Sequence, residues 1–421
     1  MMIARLILAS LSLLLTFSTG FAGEITFVGS TNKNPLEYQP GEQMTFSIQC
    51  LEDGKPVQGQ NLLWKRSGDD GKTESGTAIS SSEEPLQIQT SIDVPGFVRI
   101  QVSLCDSDGN MLPGSQEHNQ FNGGAGVLLD QIKGIPEPKD FDEFWNRQKE
   151  ILSKVPINAT LTPVDSNDPD VVVYDVKIDS SSLTPASGYL VMPKNAAPQS
   201  LPATVAYHGY SVRSASINIG AGRNQIYLEI NGHGILNGQS QEYYDTLGRT
   251  FLKSYGFSKE ENQNPDSCYW CGMMMRGLRA LQYVKTLPEW DGVNLTTTGG
   301  SQGGMQCLTM AGLDSDVTQV IAYVPWFSDV SGAECNGRLD SWFMPAWVDG
   351  LGYFDTSNHA KRIKGKVTIY AGLGDYVCPP SGEMVLYNSI SSPKEIIFNQ
   401  GKTHGYNPQN NDSFSLKANV E

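Results

Sequence analysis

One serine, one aspartate and one histidine carry the chemistry this sequence offers. The stretch Val293-Asn294-Leu295-Thr296-Thr297-Thr298-Gly299-Gly300-Ser301-Gln302-Gly303-Gly304 reads as a short buried strand, a Gly-x-Ser-x-Gly turn, and a helix starting near Met305. A serine on a strained strand-to-helix turn projects its hydroxyl from the sheet edge. Glycines on either side let the backbone pass close to its neighbours. The N–H after the serine then points where an oxyanion would develop. The pattern alone is weak in a chain with 43 glycines. The strand before it and the helix after it supply the context.

A serine hydroxyl needs a base, and the base needs a carboxylate to orient it. The order Ser, acid, His along the chain is that of the α/β-hydrolases. The acid belongs in a loop directly after a downstream strand. Asp375 fits, closing Lys366-Val367-Thr368-Ile369-Tyr370-Ala371 with Gly372-Leu373-Gly374 as the turn. Of the five histidines, His118, His208, His233, His359 and His404, only His404 follows that acid. Asp375 could instead cap a helix ahead of Pro379-Pro380, and His404 could be a surface loop residue. A second oxyanion donor belongs in the loop after the third strand, His208-Gly209-Tyr210. The backbone N–H of Tyr210 is the choice, with that of Gln302 as partner. His208 reads as structural. His233 and His359 read as hydrogen-bonded or surface residues, because no carboxylates join them at metal-ligand spacing.

These candidates need a frame. The chain has 421 residues, 39% hydrophobic and 9% aromatic, enough for two or three domains with a large core. The net charge of −15, with no basic run, argues against a nucleic-acid partner. Residues 1–22 read as a secretory signal: Arg5, an apolar run Leu6–Phe17, then Gly20-Phe21-Ala22. No later stretch is long enough to span a bilayer. The expected location is secreted or periplasmic. Seven cysteines leave at least one unpaired. Cys268-Tyr-Trp-Cys271 lacks a second ligand pair, so a disulfide or two packed thiols suit it better than a metal. Asn158, Asn294 and Asn411 begin glycosylation sequons.

Residues 23–125 read as an immunoglobulin-like β-sandwich. Met44–Cys50, Asn61–Lys65 and Phe97–Val102 are strands, with turns at Asp53-Gly54, Asp70-Gly71 and Asp106–Gly109. Cys50, Trp64 and Cys105 resemble the Cys…Trp…Cys order of such domains. Val98, Ile100 and Val102 face inward together, however, which leaves Cys105 on the other face or beyond the strand. Residues 126–138 read as a linker. Asp140 reads as the N-cap of a helix through Phe144, Trp145, Ile151 and Leu152. Val171–Lys177 and Ser187–Met192 form a hairpin.

From Ala203 the pattern alternates strand and helix, the signature of a mostly parallel sheet covered on both faces. Strands fit Ala203–Tyr207, Gln225–Ile230, Val293–Thr298, Gln319–Val324, Lys366–Ala371 and Glu395–Phe398. Helices fit Met273–Thr286, Met305–Leu313 and Gly382–Ile390. Ser328–Asp355 interrupts the alternation with Trp342, Phe343, Trp347 and Tyr353, where a cap over the pocket is expected. Residues 126–421 are thus read as an α/β-hydrolase domain.

Gly300-Ser301-Gln302-Gly303-Gly304, Val324-Pro325-Trp326-Phe327-Ser328-Asp329 and Gly372-Leu373-Gly374-Asp375-Tyr376-Val377-Cys378-Pro379-Pro380 resemble the acetyl xylan esterase / cephalosporin-C deacetylase family. The likeness runs from about Asp140 to the C-terminus. It implies the same triad, Ser301, Asp375 and His404, and the same donors, Tyr210 and Gln302. Two departures stand out. The family's Arg-Gly-Gln is here Asn237-Gly238-Gln239, and its His-Glu is here His404-Gly405. Members often form ring-like hexamers, an assembly the added β-domain would alter.

The expected activity is deacetylation of acetylated carbohydrate, xylan or its oligosaccharides first, with Trp326 walling the acyl pocket. No metal or organic cofactor is implied. Two other readings stay open. One is a feruloyl-type or broad carboxylesterase, or a peptidase; the other is a non-catalytic carbohydrate-binding protein.

Overall fold

The computed structural model describes residues 23–113, 117–408 and 412–419. The leader read over residues 1–22 and the sequon at Asn411 lie outside the described residues. The first eight strands are β1 (Ile25–Thr31), β2 (Met44–Glu52), β3 (Lys55–Pro56), β4 (Asn61–Gly68), β5 (Glu74–Ile79), β6 (Leu86–Thr90), β7 (Gly96–Leu104) and β8 (Gln120–Val127). They make two antiparallel four-stranded sheets. In one, β2 pairs with β1, β3 and β6; the other runs β5-β4-β7-β8. Period-two alternation sends Met44, Phe46, Ile48 and Cys50 of β2 inward. They meet Val98, Ile100 and Val102 of β7 in one shared core. Cys105 lies past the end of β7, bridging to Met111. All seven cysteines are free thiols. β8 runs through Val127, two residues into the stretch read as linker.

The remaining strands are β9 (Ala159–Val164), β10 (Val171–Ile178), β11 (Ala186–Pro193), β12 (Leu201–Tyr207), β13 (Ile226–Asn231), β14 (Trp290–Gly300), β15 (Gln319–Tyr323), β16 (Lys366–Gly372), β17 (Lys394–Asn399) and β18 (Ser413–Ala418). They form one mixed sheet ordered β18-β17-β16-β15-β14-β12-β13-β11-β10-β9. The six strands from β13 to β17 are parallel to one another. The flanks are antiparallel. β9 and β18 lie beyond the strands that the sequence pattern marks. Both are edge strands with no buried residue, so they lack a continuous apolar run. Central strands bury Val205, Leu228, Ile369 and Ile396 completely.

Helices Tyr269–Val284, Gln302–Leu313 and Pro380–Ser389 cover the sheet. The first begins four residues ahead of Met273, with Cys268 as its N-cap. Asp140 stands at the N-cap of helix Phe141–Ser153, but its side chain caps nothing. Its carboxylate instead accepts the Tyr353 hydroxyl at 2.5 Å.

The two-sheet unit and the large sheet share packing. Leu36 and Phe97 belong to the larger core, and the Phe97 ring lies 5.9 Å from Phe398 of β17. At the end of β17 the Gln400 amide donates to the Gly124 carbonyl and accepts its N–H, both at 2.9 Å. Strand β8 thereby abuts the loops that carry Asp375 and His404.

Candidate active site

Strand β14 passes through Ser301 straight into helix Gln302–Leu313. The helix therefore starts three residues earlier than Met305. Ser301 adopts φ 55°, a left-handed value costly for a side-chain-bearing residue. Neighbours over-determine it. Its N–H donates to the Tyr323 carbonyl at 2.9 Å, and its carbonyl accepts from Met305 and Trp326 at 3.0 Å each. Gly303 cannot be replaced without a shift, because a Cβ there would lie 2.0 Å from the Tyr207 carbonyl oxygen.

Asp375 and His404 converge on this serine. His404 Nε2 lies 3.0 Å from Ser301 Oγ, and His404 Nδ1 lies 2.9 Å from Asp375 Oδ2. Asp375 is fully buried, and 24% of the His404 side chain is exposed. The other carboxylate oxygen, Oδ1, accepts the Val377 and Cys378 N–H groups at 2.9 Å each. Pro379, not Asp375, occupies the N-cap of the following helix. A buried carboxylate fixed this way can hold an imidazole with Nε2 free to accept a proton from the hydroxyl.

Donor atoms of Asp375, Cys378 and His404 lie within 4.8 Å of one another, close enough in principle for a metal. Both aspartate oxygens are already engaged. Burial, then the Asp375 charge, pushes the Cys378 thiol well above its ordinary range, so it stays neutral and a poor ligand. The set is better described as the surroundings of the aspartate. Glu383 is also buried beside it and held neutral by burial and by the Asp375 charge.

The loop after β12 lies against the elbow: a Cβ on Gly209 would be 3.7 Å from that of Ser301. Tyr210 stacks on Tyr255, with ring centroids 4.2 Å apart. The Tyr255 hydroxyl donates to Gln302 Oε1 at 2.9 Å and accepts the Ser211 N–H at 3.2 Å. One tyrosine therefore ties together both expected oxyanion donors. No local motif marks Tyr255; only the fold brings it there.

Trp326 touches the site through its backbone. Its indole is buried among Tyr210, Phe257, Trp270 and Phe343, and donates to the Phe343 carbonyl at 2.7 Å. Only 1% exposed, it packs against the Tyr210 ring of the expected oxyanion loop and offers almost no surface to the expected acyl pocket. The cap expected over Ser328–Asp355 divides. Phe343 packs edge-on against Tyr210 at 5.0 Å, while neighbouring Trp342 is 74% exposed. Trp347 and Tyr353 turn away to line a separate cavity of about 410 Å³ against the linker.

Three of the other four histidines are buried. Burial lowers the pKa of His208 to about 4, and those of His233 and His359 to about 3. His233 Nε2 donates to the Ser211 carbonyl at 2.8 Å, and Nδ1 contacts the Tyr269 hydroxyl. His359 Nε2 lies 3.1 Å from the Tyr353 carbonyl. His118 packs near the Tyr406 ring. Cys268 and Cys271 are two packed, buried thiols. Asn237 is a buried hub: it donates to Asp175 and Ser187 and accepts from Asn231 and Ala215.

The family model described as acetyl xylan esterase (AXE1) matches residues 129–334 and 346–418. The chain belongs to the acetyl xylan esterase family. It is a carboxylic ester hydrolase of the family that deacetylates carbohydrate. A curated relative, the acetyl esterase Axe7A of Xylanibacter ruminicola, is 28% identical over 345 residues, 79% of this chain and 76% of its own. Two solved acetyl xylan esterases share the α/β-hydrolase fold. The one from Paenibacillus sp. R4 has a TM-score of 0.54 at 26% identity, covering 66% of this esterase and 93% of its own chain. That from Thermoanaerobacterium sp. JW/SL YS485 gives 0.53 at 25%, covering 66% and 92%. The N-terminal strands and residues 335–345 of this esterase lie outside the family match. Among the described residues no helix is long and apolar enough to cross a membrane.

Proposed function

We propose that this esterase is exported and removes acetyl groups from acetylated xylan or its oligosaccharides, using Ser301, His404 and Asp375 as a triad. His404 takes the Ser301 proton as the hydroxyl attacks the acetyl carbonyl. The backbone N–H groups of Tyr210 and Gln302 hold the tetrahedral oxyanion. His404 then protonates the departing sugar oxygen, leaving an acetyl-enzyme. Water, activated by the same imidazole, releases acetate. Asp375 keeps the imidazole in the required tautomer.

The observation that carries this reading is the unbroken line from Ser301 Oγ through both His404 nitrogens to Asp375 Oδ2, at 3.0 and 2.9 Å. The acetyl specificity rests on the family and on the named relatives. Export rests on the leader pattern of residues 1–22. The N-terminal unit is read as an immunoglobulin-like sandwich over residues 23–125, followed by the esterase domain over 126–421. The partition of its strands, β1, β2 and β6 against β5-β4-β7-β8, supports that reading.

The test is acetate release from a panel of acetylated glycans, run beside 4-nitrophenyl esters of rising acyl length. Acetyl-xylan turnover and a steep fall beyond acetyl are expected. Equal use of long acyl chains, or cleavage of peptides, would reject the acetyl-carbohydrate assignment.

A further inference from the structure

The N-terminal unit reaches the histidine loop with a side chain of its own. Glu117 sits in the short 3-10 turn Glu117–Asn119 that leads into β8. One oxygen, Oε2, accepts the Thr403 hydroxyl at 2.7 Å and the Gly405 N–H at 2.9 Å. These are the residues on either side of His404. Gly405 makes room for the carboxylate: a Cβ there would lie 2.6 Å from Oε2.

The anchor behind Glu117 is stiff. The Gly124 carbonyl and N–H are both paired with Gln400. Gly374, beside Asp375, lies under the Asn122 carbonyl so closely that a Cβ would come within 1.8 Å. Arg99 of β7 donates to Asn122 and stacks over the Tyr376 ring at 3.9 Å. Strands β7 and β8 therefore set the acid loop, and Glu117 extends the same grip to the base.

We propose that Glu117 is a positioning residue, a carboxylate lent by the N-terminal unit that holds the 403–405 turn so that the His404 ring stays in line between Ser301 and Asp375. The proposal rests on the triad reading above. The His404 loop is otherwise a partly exposed connection, and a base displaced by about 1 Å can cost roughly 100-fold in rate. A single accepting oxygen joined to both flanking residues limits that drift. Its function is geometric, so an amide oxygen at the same place serves as well.

Four variants test this: Glu117→Ala, Glu117→Gln, Gly405→Ala and the double Glu117→Ala/Gly405→Ala. The readouts are kcat and KM on 4-nitrophenyl acetate and the downfield NMR signal of the His404 Nδ1–H. Glu117→Ala should lower kcat about 10-fold with KM within about 2-fold, while Glu117→Gln restores most of it. Gly405→Ala should show a similar loss by expelling the carboxylate, and the double variant should be no worse than Glu117→Ala alone. The Nδ1–H signal should broaden in Glu117→Ala and stay sharp in Glu117→Gln. Wild-type kcat in Glu117→Ala, an equal fall in Glu117→Gln, or additive losses in the double variant would overturn the proposal. The NMR signal needs no turnover. If Ser301→Ala kept full activity, the triad reading would fall while that signal still decided whether Glu117 orders the ring.

Discussion

The two halves of the site are braced in different ways. The proposed nucleophile half, Ser301 with Gln302 and Tyr210, is supported from inside the family-matched part of the chain. Tyr255, Trp326 and Phe343 form an aromatic bed beneath it, and the Ser301 backbone is fixed by Tyr323, Met305 and Trp326. The base half, Asp375 with His404, has a further brace from the N-terminal unit through Arg99, Gly124 and Glu117. A buried elbow tolerates no freedom and is locked by its own core. The Asp375 loop is buried in that same core, whereas the His404 turn is partly exposed, and there a second unit supplies a brace.

The largest expected effect tests whether these halves act as one machine. Ser301→Ala and His404→Ala should each lower kcat about 10⁴-fold or more, and the double variant no further. Losses that multiply in the double variant would mean that the halves work independently, contrary to the proposed triad.

The next effect concerns the join. Gln400→Ala leaves the buried N–H and carbonyl of Gly124 without partners. The expected cost is about 2–6 kcal/mol in urea unfolding, since each of the two unmet buried groups costs about 1–3 kcal/mol. Losses below about 0.5 kcal/mol would show that the base half stands without the N-terminal unit.

The difference between the halves also explains what was legible in the sequence. Ser301 sits in a local motif, and Asp375 and His404 follow from chain order in a sequence with five histidines. Tyr210 and Gln302 belong to segments adjacent to recognisable strands. The central parallel strands were legible because burial on both faces leaves continuous apolar runs. The braces were not. Glu117 and Thr403 are 286 positions apart, and no periodicity connects them. Trp326 reads as a pocket residue by sequence, yet tertiary packing turns its indole into the aromatic bed. The elbow helix begins at Gln302, not Met305, because the single left-handed residue Ser301 completes the turn.

Acid should strain the nucleophile half first. His208 lies in the proposed oxyanion loop and His233 holds the Ser211 carbonyl, both kept neutral by burial. A histidine whose folded pKa is depressed stabilises fully above its unfolded value of about 6.5, and that contribution is lost as pH falls toward the folded value. For His233, with a folded pKa of about 3, the loss at pH 5 is about 2 kcal/mol. Asp329, raised to about 7 chiefly by burial, works in the opposite sense. The clean readout is therefore a difference. His233→Gln, whatever it costs at pH 7.5, should shrink the stability drop between pH 7.5 and 5 by about 2 kcal/mol. An unchanged drop would show that His233 is not the neutral buried group described.

The smallest effect is the sharpest probe of the nucleophile half. Tyr255→Phe keeps the ring that stacks on Tyr210 and removes only the hydroxyl that joins Gln302 to Ser211. Packing is conserved, so unfolding free energy should fall by about 2 kcal/mol for the two lost hydrogen bonds. The proposed oxyanion donors themselves remain, so the rate loss should stay well below the roughly 100-fold of deleting a donor. A fall in kcat of about 5-fold with KM unchanged is expected, because the hydroxyl orients groups needed only as charge develops on the carbonyl oxygen. A rise in KM at constant kcat would instead place Tyr255 in substrate binding. The aromatic bed would then serve the sugar and not the transition state, and the symmetry between Tyr255 on one side and Glu117 on the other would be lost.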